Sequence, residues 1–223
     1  MTQPLEHLSV DTGDSPEDCI VWLHGLGADG HDFEPVVPQL AAMLPHATRF
    51  VFPHAPVRPV TVNNGMRMRA WYDIASLDIA GRQDEAGIHE ATDRVEALLA
   101  AQARQGFEPG RTVLAGFSQG GAIALHAGLR HETRLAGLLA LSCYLPLHDA
   151  LSTEAAPANR ETPIFMAHGS QDPVVPQVLG ERSRDCLREH GYRVAWHSYP
   201  VPHGVCQEEI RDIGEWLGGI LAA

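Results

Sequence analysis

The sequence predicts an α/β fold with a mainly parallel, doubly wound sheet and helices on both faces. Three observations lead to this prediction. Short apolar runs recur along the chain, longer amphipathic segments separate them, and each apolar run is continuous rather than alternating with polar residues. Continuous apolarity is typical of a strand that is covered on both faces, as parallel strands usually are. A chain of 223 residues fits one such domain, spanning residues 1–223.

Six apolar runs are predicted to be the buried strands of this sheet. They are rich in the branched and aromatic residues that strands favour. In chain order they cover residues 19–23, 50–52, 112–115, 138–141, 164–167 and 194–196.

Three of the segments between or after these runs are predicted to be helices from their pattern or their glycine stops. In residues 88–102 the apolar positions fall three and four apart, and Gly106 supplies a stop. Residues 181–190 form a second helix, closed by Gly191, and residues 210–220 carry a final amphipathic stripe. Strands and helices in alternation favour the doubly wound arrangement.

Two long segments interrupt the alternation, at residues 53–87 and 144–163. The first contains the triplet 63–65, Asn-Asn-Gly, which is a strong hairpin-turn signal, so we predict a short lid-like hairpin there. Long irregular insertions are usually functional or mobile. Both segments follow predicted strands, at the sheet edge where ligands bind in this architecture.

The charge balance excludes some classes of partner. Sixteen Lys and Arg against 28 Asp and Glu give a formal net charge of −12. Nucleic acids and anionic membranes are bound through clustered basic residues, so we expect neither nucleic-acid binding nor stable membrane association. No apolar run approaches the roughly 20 residues of a membrane helix, and the first residues do not resemble a signal peptide, so a cytoplasmic location is expected.

The cysteines and histidines do not predict a metal centre. The four cysteines are scattered without metal-type spacing, and we expect reduced, mostly buried thiols. The thirteen histidines contain no ligand motif such as H-E-x-x-H. We therefore expect neither a metal nor a cofactor.

The strongest chemical signal is the G-x-S-x-G motif at residues 116–120, with Ser118 at its centre. An apolar strand ends directly before it and a predicted helix begins directly after it. Such a tight turn strains the serine backbone and exposes its Oγ, which suits a nucleophile. The alternative is a serine that merely caps a helix. Gly120 and Gly121 would then be poor choices for a first helical turn.

A serine nucleophile needs a base and an acid further along the chain. Asp172 lies in the loop after the strand 164–167, and His203 lies after the last predicted strand. These positions predict that His203 is the base and that Asp172 orients it. Asp172 as a simple turn residue before Pro173, or His203 as a surface histidine, stays open at this point.

A hydrolase of this type also needs two N–H donors for the oxyanion. We predict the amide of Gln119, at the start of the helix, and the amide of Leu26, in the glycine-rich loop 24–30. A phosphate cradle is the alternative for that loop. It lacks both G-x-G-x-x-G and the P-loop lysine.

Four ordered motifs resemble the phospholipase/carboxylesterase family, which includes bacterial carboxylesterases and acyl-protein thioesterases. They are the segments 24–27 (HGLG), 116–121 (GFSQGG) and 168–176 (HGSQDPVVP) and the loop around His203. The resemblance spans residues 19–217 and implies the α/β-hydrolase fold. It also implies that Ser118, Asp172 and His203 are catalytic and that the amides of Leu26 and Gln119 form the oxyanion hole. The chain departs from the family pattern at Pro202, directly before the histidine.

A fifth segment, residues 69–74 (RAWYDI), resembles the Trp-aromatic-Asp segment of the same family. In the family the part matching residues 71–77 shapes the acyl pocket. We therefore predict an apolar acyl groove from residues of this region, with core packing as the alternative; they are Met66, Met68, Trp71, Ile74 and Leu77.

Together these features predict a serine carboxylesterase that hydrolyses short- to medium-chain esters through an acyl-enzyme. An acyl-protein thioesterase or a lysophospholipase is the first alternative. A non-catalytic binding protein of the same fold, a perhydrolase and a dienelactone hydrolase are further ones. The expected partner is a small ester substrate, and the resemblance leaves a homodimer open.

Overall fold

The computed structural model describes residues 5–75 and 83–222. A seven-stranded sheet in the order β1-β3-β2-β6-β7-β8-β9 forms the centre. The strands β2, β3 and β6 to β9 pair in parallel, and β1 pairs antiparallel with β3 at one edge. These strands are β1 (His7–Asp11), β2 (Asp18–Leu23), β3 (Thr48–Pro53), β6 (Thr112–Phe117), β7 (Gly137–Leu141), β8 (Ile164–Gly169) and β9 (Val194–Tyr199).

A separate two-stranded hairpin lies in the first irregular segment, formed by β4 (Val57–Val60) and β5 (Met66–Arg69). Its connection contains Asn64 and Gly65, both with positive φ, as the turn signal predicts. The helices are α1 (Val37–Ala41), α2 (Glu85–Arg104), α3 (Gln119–Arg130), α4 (Leu151–Glu154), α5 (Gln177–Glu189) and α6 (Gln207–Leu221).

The sheet separates two hydrophobic cores. Apolar side chains of α2, α3 and α5 pack on one face, and those of α1 and α6 pack on the other. Every residue of β2, β7 and β8 is buried, which explains why those runs are apolar without interruption. The predicted two-faced α/β architecture is confirmed.

Several elements differ from the prediction. The short helices α1 and α4 were not predicted, and α2 and α6 each begin three residues before the predicted start. Strand β1 was not predicted, because it is an edge strand whose residues are alternately half-buried and exposed, so it lacks a continuous apolar run. Helix α5 begins at Gln177, four residues before the predicted start at residue 181. Pro176 lies directly before its first turn, where a missing N–H costs nothing.

The topology brings the ends of four strands to one edge of the sheet. Parallel strands β2, β6, β8 and β9 all end there, and the predicted site residues follow these ends. After β2 the chain first adds β3 on one side of it and then adds β6 on the other side. In open α/β sheets ligands bind at such a switch point. Within residues 5–75 and 83–222, no helix combines the length and apolarity needed to cross a membrane.

Candidate active site

Ser118 occupies the strained turn between β6 and α3. Its φ of 55° lies in the left-handed region, and its N–H donates to Leu141 O at 2.8 Å, which fixes the turn to β7. The flanking glycines are needed for packing. A Cβ on Gly116 would lie 2.3 Å from Gly120 O, and one on Gly120 would lie 2.4 Å from Leu23 O. The motif therefore folds this way because only glycine fits on either side of the serine.

The structure brings Ser118, His203 and Asp172 into one hydrogen-bonded row. His203 Nε2 lies 2.9 Å from Ser118 Oγ, and His203 Nδ1 lies 2.6 Å from Asp172 Oδ2. The Asp172 side chain is fully buried, and its other oxygen, Oδ1, accepts the N–H groups of Val174 at 2.8 Å and Val175 at 2.9 Å. Because every carboxylate oxygen has a donor, the carboxylate is held in one orientation against the imidazole.

A second histidine borders the Asp172 carboxylate. His168 Nε2 donates to Val175 O at 2.8 Å and lies 3.6 Å from Asp172 Oδ2. Burial lowers the pKa of His168, so this ring stays neutral. His168 therefore supports the loop and leaves the carboxylate to His203.

The two predicted oxyanion donors belong to segments that line the same cavity as Ser118. Leu26 and Gln119 both border it. The glycine-rich loop lies against Ser118, since a Cβ on Gly25 would be 3.4 Å from the Ser118 Cβ. Gln119 is the first residue of α3, and the first amides of a helix have no partner within that helix.

The cavity beside Ser118 has a volume of about 460 Å³, within the range of small-molecule sites. Most of its lining is apolar. Ile74 is the one predicted groove residue among the described residues that lines it. The larger apolar side chains that also line it are Leu26, Val62, Phe117, Val174 and Val175.

The other predicted groove residues lie elsewhere. Trp71 is 1% exposed and belongs to the hydrophobic core on the face of the sheet covered by α2 and α3. Met66 points into solvent from the hairpin, 64% exposed. Met68 is half-buried and its Sδ accepts the Asn63 amide at 3.2 Å. None of the three lines the cavity, and Leu77 lies outside the described residues.

Sequence reasoning missed two tyrosines at the cavity. Tyr72 and Tyr144 both line it, and their hydroxyls are 2.7 Å apart. Burial raises the pKa of both, so the pair is neutral. Tyr72 is adjacent to Trp71, and Tyr144 begins the second irregular segment, so each could have been found from those signals.

Outside the row of Ser118, His203 and Asp172, the described residues contain four cysteines and one cluster of potential metal ligands. All four cysteines are free; Cys19 and Cys143 are buried, and burial raises the pKa of Cys19 to about 12. His89, His126 and Glu154 have ligand atoms within 4.8 Å of one another. The Arg130 guanidinium contacts Glu154 Oε2 at 2.7 Å, so a positive charge already occupies that carboxylate and disfavours a cation.

A model of the phospholipase/carboxylesterase family matches residues 5–220. The chain belongs to this family. The acyl-protein thioesterase 1 of Mycosarcoma maydis is 39% identical to it over 229 residues, 95% of each chain. That of Neurospora crassa is 41% identical over 208 residues, 89% of this chain and 84% of the relative. The crystal structure of Arabidopsis thaliana SOBER1 superposes with a TM-score of 0.86 at 30% identity, covering 92% of this chain and 99% of that one.

Membership of the phospholipase/carboxylesterase family confirms two predictions. The fold is the α/β-hydrolase fold, and the protein is a hydrolase of the carboxylesterase and thioesterase type. The alternative of a non-catalytic binding protein is set aside for the same reason.

Proposed function

We propose that this protein is a serine carboxylesterase that hydrolyses short- to medium-chain esters through a Ser118–His203–Asp172 triad. The hydrogen-bonded row from Ser118 Oγ through the imidazole to the buried carboxylate supports this proposal most strongly. Its geometry matches the requirement for a nucleophile, a base within hydrogen-bond reach and a group that orients the base.

The first half-reaction forms an acyl-enzyme. Ser118 Oγ attacks the ester carbonyl carbon while His203 Nε2 takes the hydroxyl proton. The amides of Leu26 and Gln119 bind the oxyanion that develops on the carbonyl oxygen. Asp172 holds the proton on His203 Nδ1 and stabilises the imidazolium. The intermediate then expels the alcohol, which leaves with the proton from His203.

The second half-reaction frees the enzyme. Water attacks the acyl carbon and gives a proton to His203 Nε2. The same two amides bind the second oxyanion. Ser118 leaves, recovers its proton from His203, and the carboxylic acid departs. Every step uses side chains and amides of this chain.

The preferred substrates are soluble rather than embedded in a membrane. The apolar side of the cavity accepts an acyl chain, and each buried CH₂ contributes roughly 0.8 kcal/mol, so affinity grows until the cavity is full. Basic residues near an anionic bilayer contribute about 1 kcal/mol each. A chain with a net charge of −12 has no surplus of them.

An S-acyl thioester is the second candidate substrate. The relatives at 36–41% identity are named acyl-protein thioesterases, which favours it. The chemistry is the same, since only the leaving atom changes from oxygen to sulfur.

Two substrate series test these proposals. In the first, p-nitrophenyl esters from acetate to palmitate are compared with lysophospholipid in vesicles. We expect kcat/KM to rise to medium chains and then stop rising. A continued rise from octanoate to palmitate, or faster turnover of the vesicle lipid, would favour a lipase-like enzyme.

The second series compares an octanoyl ester with an octanoyl thioester whose leaving groups have matched pKa values. For each substrate, the enzymatic kcat/KM is divided by the rate constant for hydrolysis of that substrate by hydroxide. A carboxylesterase gives ratios of similar size. A thioester ratio larger by tenfold or more favours the second candidate instead.

A further inference from the structure

Trp71 is buried outside the cavity, yet its two N–H groups bond to the two segments that carry the oxyanion donors. We propose that Trp71 is a positioning residue that holds the amides of Leu26 and Gln119 at a fixed spacing. This inference rests on the proposed function, because it assigns a structural cause to the oxyanion hole of that reaction.

The indole holds the glycine-rich loop. Trp71 Nε1 donates to His24 O at 2.9 Å, and the two rings lie 5.4 Å apart, centre to centre. The His24 carbonyl belongs to the peptide directly before the one that carries the Leu26 amide. The bond therefore fixes the loop at the point where it leaves β2.

His24 passes this constraint to the next peptide. Its Nε2 accepts the Ala55 N–H at 3.0 Å, so the ring proton is on Nδ1, which donates to Gly25 O at 2.7 Å. In a trans peptide the N–H points opposite to the C=O. With the Gly25 carbonyl held toward the His24 ring, the Leu26 N–H is directed away from it.

The backbone of Trp71 holds the other donor segment. Trp71 N–H donates to Gln119 Oε1 at 2.8 Å, and Gln119 Nε2 donates to Tyr72 O at 2.8 Å. Gln119 is 4% exposed, so these two bonds are shielded from water. The first residue of α3 is therefore hydrogen-bonded to Trp71, which also holds the loop, and to the neighbouring Tyr72.

The loop that carries the Leu26 amide and the helix start that carries the Gln119 amide are thus both hydrogen-bonded to Trp71. Oxyanion donors act at about 2.7–3.1 Å from the developing charge, so a small change of spacing weakens the transition state more than the bound substrate. Without the indole N–H, the Leu26 amide is expected to be held less firmly at its distance from the oxyanion. This should lower kcat with little change in KM.

The test variant is Trp71→Phe, which keeps an aromatic ring and removes only the donor. The chain offers a matched control, Trp22→Phe. Trp22 is also 1% exposed, but its Nε1 has no hydrogen-bond partner among the described residues. It stacks on Phe33 on the opposite face of the sheet. The control therefore creates a similar gap without breaking a hydrogen bond.

Two inhibitors distinguish misplaced oxyanion donors from a general loss of active-site structure. A trifluoromethyl ketone accepts Ser118 Oγ at its carbonyl carbon, the proton goes to His203, and the resulting alkoxide needs the oxyanion donors. The matching methyl ketone binds without this addition. We expect Trp71→Phe to lower kcat about tenfold and to weaken the trifluoromethyl ketone by the same factor. Methyl-ketone affinity should stay within twofold, and Trp22→Phe should stay within twofold throughout.

A second variant tests the same inference if Trp71→Phe does not fold. Gln119→Met keeps the amide and the side-chain length but loses both bonds to residues 71 and 72, and should give the same pattern. Equal effects of Trp71→Phe and Trp22→Phe, or equal weakening of both ketones, would overturn the inference. Failure of the proposed function is distinct, because the wild-type protein would then not hydrolyse esters.

Discussion

The two walls of the cavity are fixed in different ways. The first, which we call the catalytic wall after the proposed triad, is formed by Ser118, Asp172 and His203 and lies at the carboxyl ends of parallel strands. The outer wall, residues 57–75, consists of the hairpin and the segment that follows it. The first is set by backbone packing within the sheet, and the second by individual side chains. This difference decides which changes each wall tolerates.

Hydrogen bonds to one carboxylate show how the outer wall is held. Asp73 accepts the Thr61 N–H at 2.7 Å and the Thr61 hydroxyl at 2.6 Å, and its own N–H donates to Asp84 Oδ2 at 2.8 Å. Arg58 Nη1 donates to Trp71 O at 2.8 Å. In a loop held by such bonds, a single substitution removes only the bonds of one side chain. At the Ser118 turn, a substitution of Gly116 or Gly120 would clash with the backbone.

The largest expected effect is on the catalytic wall. Ser118→Ala should lower kcat by a factor on the order of 10⁴–10⁶ because the nucleophile is lost, while the melting temperature stays close to wild type. Labelling with a fluorophosphonate probe should also disappear. Ser152→Ala, at an exposed serine of α4, is the control and should retain full activity and labelling. A stable Ser118→Ala protein with more than a tenth of the wild-type kcat would exclude the proposed mechanism.

The next effect compares a glycine from each wall. Gly120→Ala would place a Cβ 2.4–2.5 Å from the carbonyl oxygens of Leu23 and His24, so we expect a loss of about 3 kcal/mol or more in unfolding free energy. In Gly65→Ala, in the hairpin, the added Cβ would meet no atom within 4 Å, but φ at this position is 74°, so about 1 kcal/mol of backbone strain is expected.

Urea unfolding measures both variants, with Gly110→Ala as the control because its Cβ would also meet open space at an ordinary φ. Equal losses at Gly120 and Gly65 would remove the distinction between the two walls.

The contrast also explains what sequence alone could predict. Continuous apolar runs predict the six inner strands, and the strand–turn–helix context predicts the strained turn at Ser118, which the structure confirms. Asp172 and His203 then follow from the order of strand ends. The direction of the Trp71 ring could not be predicted, since it depends on how the chain leaves β5. The edge strand β1 was missed because its burial alternates.

An effect of intermediate size comes from His24, which joins the two walls. Burial lowers the pKa of His24 to about 4, from 6.5 when unfolded. Between these values the unfolded chain binds a proton that the folded protein does not, so stability falls as the pH falls. From pH 7 to pH 5 this residue should cost about 2 kcal/mol.

Other groups titrate over the same range, so a variant isolates the contribution of His24. Burial raises the pKa of Glu209 to about 8, which stabilises the fold as the pH falls and opposes the effect of His24. The variant His24→Asn keeps a donor for Gly25 O and cannot be protonated. Its loss of unfolding free energy from pH 7 to pH 5 should be about 2 kcal/mol smaller than that of wild type. Identical pH slopes in urea unfolding would contradict a buried neutral ring.

The smallest effect lies within the outer wall and tests how side chains there are used. Ile74 lines the cavity, and Met66, eight residues before it in the hairpin, points into solvent. Ile74→Ala removes apolar contact with the acyl chain, which at roughly 0.8 kcal/mol per CH₂ equals a several-fold lower kcat/KM on medium-chain esters. Acetate esters, too short to reach it, should change little.

Met66→Ala serves as the matched change, since it removes an exposed apolar side chain from the same segment without touching the cavity. We expect its kcat/KM to stay within about twofold of wild type for every chain length, because no contact with substrate is lost. The chain-length series separates the two variants more sharply than any single substrate. If Met66→Ala lowered medium-chain kcat/KM as much as Ile74→Ala does, the acyl chain would run along the hairpin rather than into the cavity.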